Sequence, residues 1–282
     1  MTALTLSIRP VGTAVGAEVV GVESDQLTRD EVVAAVAKAL EAHGALVFRG
    51  LDLDPETQVG FCRKLGDVDD STDGHHPVAG IYRVTLDTSK NPRAEYLHAT
   101  FHWHIDGCTP AGGECPQMAT VLTATAVAER GGDTEFASTY AAYDALTQRE
   151  QERFATLRVV HTLEASQRRV TPDATERQLS RWRSWPASEH PLVWTHRSGR
   201  RSLVIGASAD HVVGMDPAEG VALLDDLLAR ATHPDHVHRH RWRVGDTVIW
   251  DNRGVLHRAV AYDASSAREM LRTTVLGDEP IH

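Results

Sequence analysis

Phe101-His102-Trp103-His104-Ile105-Asp106 is the stretch on which the reading of this chain turns. In an extended segment, residues i and i+2 project to the same face. His104 and Asp106 can then offer an imidazole nitrogen and a carboxylate oxygen to one ion. Far downstream, Trp250-Asp251-Asn252-Arg253-Gly254-Val255-Leu256-His257-Arg258 supplies a third donor in His257. Two imidazoles and one carboxylate on one face of an octahedron leave three positions open. Those positions suit a bidentate cosubstrate and O2, the chemistry of non-haem Fe(II) oxygenases. His102 also stands two residues from His104, and a His-x-His pair would point to zinc instead. From the spacing alone both readings stand.

Working outward, the elements form an α+β pattern. The stretch Thr28-Arg29-Asp30-Glu31 reads as a capping box opening a helix with Val32, Val33, Val36 and Leu40 on one face. Gly44 ends it, and Ala45-Leu46-Val47-Phe48 reads as a buried strand. Asp54-Pro55 predicts a capped helix to about Leu65. Strands are expected over 117–125, 246–250 and 272–276. Helices are expected from Thr139, after Thr147-Gln148-Arg149-Glu150, and after Asp216-Pro217. Helices flanking many short strands define an α+β domain on a barrel or sandwich. No glycine fingerprint follows the first strand, which argues against a doubly wound sheet. Residues 1–282 are read as one domain. The polar stretch 66–102, with its paired His75-His76, is read as a lid, and the arginine-rich stretch 167–188 as irregular and a mobile insertion.

Composition narrows the function. The 282 residues carry a net charge of −10, which excludes a basic nucleic-acid surface. An anionic substrate therefore needs local arginines. Cys62, Cys108 and Cys115 are odd in number and form no CxxC, which argues against disulfides and thiolate zinc. No secretory leader opens residues 1–10 and no stretch has the apolar length of a membrane span, so a cytoplasmic protein is expected. Among the 16 histidines, His233, His236, His238 and His240 fall in a polar stretch and read as solvated or interfacial rather than as a metal site.

At these residues the chain resembles the taurine and 2,4-dichlorophenoxyacetate dioxygenase family of Fe(II)/2-oxoglutarate enzymes. The resemblance runs from Gly44-Ala45-Leu46-Val47-Phe48-Arg49-Gly50 to Gly277-Asp278. It is carried by Gly131-Gly132-Asp133-Thr134-Glu135-Phe136, Ala141-Ala142-Tyr143-Asp144-Ala145-Leu146, His190-Pro191-Leu192-Val193 and Val244-Gly245-Asp246-Thr247-Val248-Ile249-Trp250-Asp251-Asn252-Arg253. It implies a double-stranded β-helix (jelly-roll) core with flanking helices, and Fe(II), 2-oxoglutarate and O2 as cofactor and cosubstrates. His104, Asp106 and His257 match the metal ligands. Thr134 and Arg268 match the residues that hold the far carboxylate of 2-oxoglutarate. Arg272 matches the position contacting the substrate's anionic group, and His76 and Thr100 match positions near the substrate. The implied reaction hydroxylates a small organic acid: a sulfonate, a sulfate ester or an aryloxy-carboxylate. C–S or C–O cleavage follows where the hydroxylated carbon bears the heteroatom. A dimer or tetramer is implied as well.

The physical chemistry agrees, because a guanidinium offers two parallel donors to a carboxylate, and residues 268 and 272 have the same parity on a strand. Both branches of the family usually carry Asn where this chain has Thr100, and Gly107-Cys108-Thr109 also departs from the pattern. The substrate side is therefore altered and no particular substrate is assigned. His196, His211 and Cys108 are weaker substrate-contact candidates. Two rival readings are a zinc hydrolase or lyase using His102 or His104 with His257, and a non-catalytic metabolite-binding relative.

Overall fold

The computed structural model describes residues 6–70, 76–109 and 115–282. His75 lies outside the described residues. Fifteen strands are defined among them: β1 (Ser7–Pro10), β2 (Ala17–Val20), β3 (Ala45–Phe48), β4 (Tyr82–Val84), β5 (Gln117–Ala126), β6 (Thr134–Ser138), β7 (Arg158–His161), β8 (Ser188–Pro191), β9 (Val193–Thr195), β10 (Arg201–Leu203), β11 (Ala209–Val212), β12 (His238–His240), β13 (Thr247–Asp251), β14 (Val255–Ala259) and β15 (Glu269–Leu276). The helices are α1 (Asp30–His43), α2 (Pro55–Leu65), α3 (Thr139–Asp144), α4 (Gln148–Phe154), α5 (Leu163–Arg168), α6 (Glu176–Arg183) and α7 (Pro217–Ala231).

A seven-stranded sheet in the order β1-β2-β3-β13-β5-β15-β4 forms one wall. Smaller sheets, β12-β6-β14, β11-β7-β8 and β10-β9, complete the roll. Side-chain alternation shows why the wall is two-faced. Leu46 and Phe48 of β3, Val121 of β5 and Ile249 of β13 turn outward, where α1 and α2 bury them with Val32, Val36, Leu40 and Phe61. Ala45, Val47, Leu122, Val248 and Trp250 turn inward, against Phe136 and Val255. Each such large apolar side chain contributes about 1.5–3 kcal/mol on leaving water. A third cluster, with Trp194, Leu203, Leu224 and Leu227, anchors α7 beside the small sheets. Among the described residues no helix is long and apolar enough to cross a membrane.

Asp54 and Thr147 cap α2 and α4 as the sequence predicts, each accepting from the third backbone N–H. Three expectations are corrected. Thr28 does not cap α1: Arg29 holds that position without a side-chain bond, because a 3-10 turn at Ser24–Gln26 leads directly into the helix. The stretch 167–188 is not irregular, since α6 opens on a Thr175–Gln178 capping box and buries Leu179 and Trp182. The His233–His240 region is only partly solvated. His240 is fully buried beside Asp246, and His238 stacks on Phe136.

Buried histidines also set an acid limit on stability. His161 is fully buried and its pKa falls to about 3, first through burial and then through the neighbouring His190. His196, 5% exposed, falls to about 4 through burial and the nearby Arg253 and Arg200. Both pKa values lie below the unfolded value, so the unfolded chain binds more protons as pH falls below about 6.5, and stability is lost in that window. The slope approaches about 1.4 kcal/mol per pH unit for each, and together they amount to about 3 kcal/mol between pH 6.5 and 5. Urea unfolding at the two pH values is expected to show that loss, and His161→Gln is expected to remove about half of it. An unchanged midpoint would sink the prediction.

Candidate active site

The segment after a 3-10 helix, Ala94–Phe101, meets the edge of β14 that β6 leaves free, at the strand's central residue. His104 and His257 exchange both backbone bonds there, N–H to O at 3.1 and 2.9 Å, in an isolated antiparallel bridge. Residues 101–106 are therefore not a strand; only His104 pairs. Gly206 (φ 126°) makes this approach possible, because a Cβ there would stand 3.0 Å from the Trp103 carbonyl and 3.1 Å from the His104 Cα.

This placement decides between the two metal readings. His104, Asp106 and His257 have ligand atoms within 4.8 Å of one another, and among the described residues they form the only group of three or more His, Cys, Asp or Glu that could hold a metal ion. His102 is not in the group. At the end of the 3-10 helix its carbonyl accepts from His104 Nδ1 at 2.8 Å, which leaves His104 Nε2 as the ligand nitrogen. The Nε2 atoms of His104 and His257 lie 3.9 and 3.7 Å from the Asp106 carboxylate oxygens. Burial lowers both imidazole pKa values, so each presents a neutral ring. Burial opposes the charge on Asp106, but Arg272, the two imidazoles and the Thr120 hydroxyl outweigh it, and the carboxyl pKa lies well below its usual range.

Thr134, Trp250, Ala259, Tyr262, Arg268 and Arg272 line the same cavity. Thr134 pairs with Ala259 across β6 and β14, and Phe136 with His257, so threonine and metal ligand share the inner face. Trp242 Nε1 donates to Thr134 Oγ1 at 2.9 Å, leaving the threonine proton for another acceptor. Arg268 is 2% exposed. It donates to the Gly132 carbonyl at 3.0 Å and lies over the Tyr262 ring. It makes no ion pair with any acidic side chain among the described residues, and burial lowers its pKa. Gly132 (φ 73°) is required here, since a Cβ would come within 2.9 Å of Arg268 Cδ. A buried guanidinium without an anion is a costly arrangement that a bound carboxylate relieves. The residues present therefore fit both the metal and a dicarboxylate.

The expected substrate contacts separate. Arg272 reaches the cavity but is engaged: it meets Asp106 Oδ2 at 3.2 Å and Gln117 Oε1 at 2.7 Å. Thr100 lines the cavity with its hydroxyl turned to the Leu97 carbonyl at 2.6 Å. His76 is not among the lining residues; its Nδ1 accepts from the Val78 backbone. His211 is exposed and pairs with Asp210. His196 bonds Ser202 within the buried interior, and Cys108 is a core residue with its thiol pKa pushed up to about 12 by burial and by Asp106. Sequence reasoning gave no role to Trp242, Tyr262 or Thr120, whose spacing from the metal ligands has no period to read. Beyond Leu97, which both cavities share, lies a second cavity of about 340 Å³. Tyr82, Pro92, Tyr96, Trp185 and Pro186 line it, together with Arg93 and Arg181.

A jelly roll carrying a 2-His-1-carboxylate site beside a buried, anion-seeking arginine defines the class of 2-oxoglutarate-dependent oxygenases. Residues 7–274 match the model of the taurine catabolism dioxygenase TauD, TfdA family, and the chain belongs to that family. It is 38% identical, over 87% of its length and 89% of the relative's, to the alpha-ketoglutarate-dependent 2,4-dichlorophenoxyacetate dioxygenase of Cupriavidus pinatubonensis. It is 32% identical, over 99% and 92%, to the alpha-ketoglutarate-dependent sulfate ester dioxygenase of Pseudomonas putida. Among solved structures, AAD-2 in complex with Mn(II) and N-oxalylglycine superposes with TM-score 0.83 at 28% identity, covering 99% of this chain and all of that one. The protein is a dioxygenase that uses Fe(II), 2-oxoglutarate and O2. The zinc hydrolase and non-catalytic readings fall away.

Proposed function

We propose that this single-domain enzyme hydroxylates an anionic substrate with an aryl or extended apolar body, held between Arg272 and the cavity beyond Leu97. The observation that carries the cosubstrate assignment is the buried, unpaired Arg268 facing the same cavity as His104, Asp106 and His257. Iron, when bound, supplies the centre at which O2 is reduced and a substrate C–H bond oxidised, as 2-oxoglutarate becomes succinate and CO2. His104 and His257 hold it through Nε2 and Asp106 through a carboxylate oxygen. Arg268 and Thr134 orient the far carboxylate of 2-oxoglutarate, while Leu122 and Trp250 exclude water. Arg272 receives the substrate's anionic group. Thr100 stands beside it and, with its hydroxyl already bonded, contributes shape. The stretch 66–102, of which 71–75 lie outside the described residues, acts as the lid, since Tyr82, Tyr96, Leu97 and Thr100 supply walls to the two cavities. The protein is proposed to work as a homo-oligomer.

The relatives support the substrate class. Their names specify 2,4-dichlorophenoxyacetate, (S)-phenoxypropionate and sulfate esters. A cavity of about 340 Å³ walled by aromatic and proline side chains suits a ring better than a two-carbon sulfonate. Succinate release is to be measured with Fe(II), 2-oxoglutarate and O2 across aryloxyacetates, alkyl sulfates and taurine. Substrates with bulky bodies are expected to stimulate turnover at least about tenfold more than taurine. Trp185→Ala is expected to raise KM for those substrates with the KM for 2-oxoglutarate unchanged. Equal or stronger stimulation by taurine would overturn the class.

A further inference from the structure

Asp106 is the one metal ligand that no regular element holds. His257 lies on β14 and His104 in its bridge, but Asp106 falls in the turn that follows. Its carboxylate must be oriented from outside. Thr120 on β5 does so: Thr120 Oγ1 stands 2.9 Å from Asp106 Oδ2. Behind it, Asn252 Nδ2 stands 2.9 Å from Thr120 Oγ1. Both residues are fully buried.

The direction of this chain follows from chemistry. An ionised carboxylate only accepts, so the Thr120 hydroxyl must donate to it. The hydroxyl has one proton, so its oxygen must accept from behind. Asn252 therefore presents its amide N–H2, which also fixes which way the amide points. The opposite end of that amide, Oδ1, is buried with no partner among the described residues. An orphaned buried carbonyl costs about 1–3 kcal/mol. Asn252 sits in the turn between β13 and β14, with its backbone N–H on the Met118 carbonyl. The turn and the metal ligand are thus tied to the same strand.

We propose that Asn252 and Thr120 form a donor relay that holds Asp106 Oδ2 and so fixes the orientation of the carboxylate that, with His104 and His257, would hold the metal. Both are positioning residues. Arg272 approaches the same Oδ2 from the cavity side, where Gln117 and Thr274 share it. The relay approaches from the core side and is independent of substrate. A chain of two aligned bonds in a dry interior is also stronger than two separate ones.

The inference rests on the reading of His104, Asp106 and His257 as the metal ligands, and the test separates the two. Mn(II) alone is titrated into the full chain, with the free ion followed by EPR. Wild-type protein is expected to bind at one site. Thr120→Val, which keeps the shape and removes the donor, is expected to raise Kd by about 10–100-fold. Thr120→Ser is expected to restore binding to within about threefold. Asn252→Asp places a pure acceptor behind the hydroxyl, drawing its proton away from Asp106, and is expected to raise Kd as well. Thermal unfolding measured alongside reports packing, which a merely structural role would move without moving Kd. If folded Thr120→Val or folded Asn252→Asp binds Mn(II) within about twofold of wild type, the relay is wrong. If wild type itself fails to bind, the metal centre is wrong.

Discussion

Replacing His104 by Ala is expected to lower substrate-stimulated succinate formation by a factor of at least about 10³ and to abolish measurable Mn(II) binding. The reason is local. The ring supplies one of three protein donors, and even residues that only orient such donors change affinity by about 10–100-fold. The fold is expected to survive, because His104 is held to His257 by two backbone bonds that an alanine keeps. Trp103 and Ile105, its apolar neighbours, stay buried. The unfolding midpoint of metal-free protein should therefore move by no more than a few degrees while turnover disappears. Retained turnover with retained metal affinity would remove His104 from the site, and a collapsed fold would show that the ring is structural.

The grouping of His104, Asp106 and His257 was legible from chemistry, and its setting was not. Strand parity put His104 and Asp106 on one face, yet neither belongs to a strand. Only His104 pairs, and Asp106 turns inward because a 3-10 helix and then a bend bring it round. The same parity counted His102 as an equal candidate. What sets it apart is position: its ring does not join the ligand atoms of His104, Asp106 and His257, and no spacing encodes that. Long periodic elements such as α1 and β5 were readable because burial selects side chains at fixed intervals. The stretch 167–188 was not. Its arginines suggest solvent, but α6 pairs two of them with acids of other elements, Arg183 with Glu164 and Arg181 with Glu95, while it buries Leu179 and Trp182. His240 and His238 were misread for a related reason: β12 is three residues long, too short for an alternation to show. Substrate contacts were the least legible, because local hydrogen bonds that leave no periodic signal decide where such side chains turn. Thr100 spends its hydroxyl on Leu97, and His76 its ring on Val78.

Arg268→Met is expected to separate affinity from stability, in opposite directions. In the protein without 2-oxoglutarate, the guanidinium is almost fully buried, with the Gly132 carbonyl and the ring and hydroxyl of Tyr262 as partners and no ion pair to an acidic side chain among the described residues. Removing an uncompensated buried charge, with a side chain of similar length in its place, is stabilising or neutral. With 2-oxoglutarate bound the balance reverses. The far carboxylate loses a charge-assisted donor pair, and truncating one partner of a buried, hydrogen-bonded charge pair costs about 2–5 kcal/mol. That range corresponds to a rise in Kd for 2-oxoglutarate of roughly 30- to 4,000-fold. Thr134→Val removes one neutral donor, and at about 0.5–1.5 kcal/mol should raise Kd by about tenfold or less. The variant also strands Trp242 Nε1, so its unfolding midpoint should fall where that of Arg268→Met does not. Unfolding with and without saturating 2-oxoglutarate reads both quantities: wild type gains a ligand-dependent shift, and Arg268→Met starts as high or higher and gains almost none. An undiminished shift in Arg268→Met would place the far carboxylate elsewhere, and a large loss of stability without ligand would mean that the arginine braces the fold through Gly132 and Tyr262.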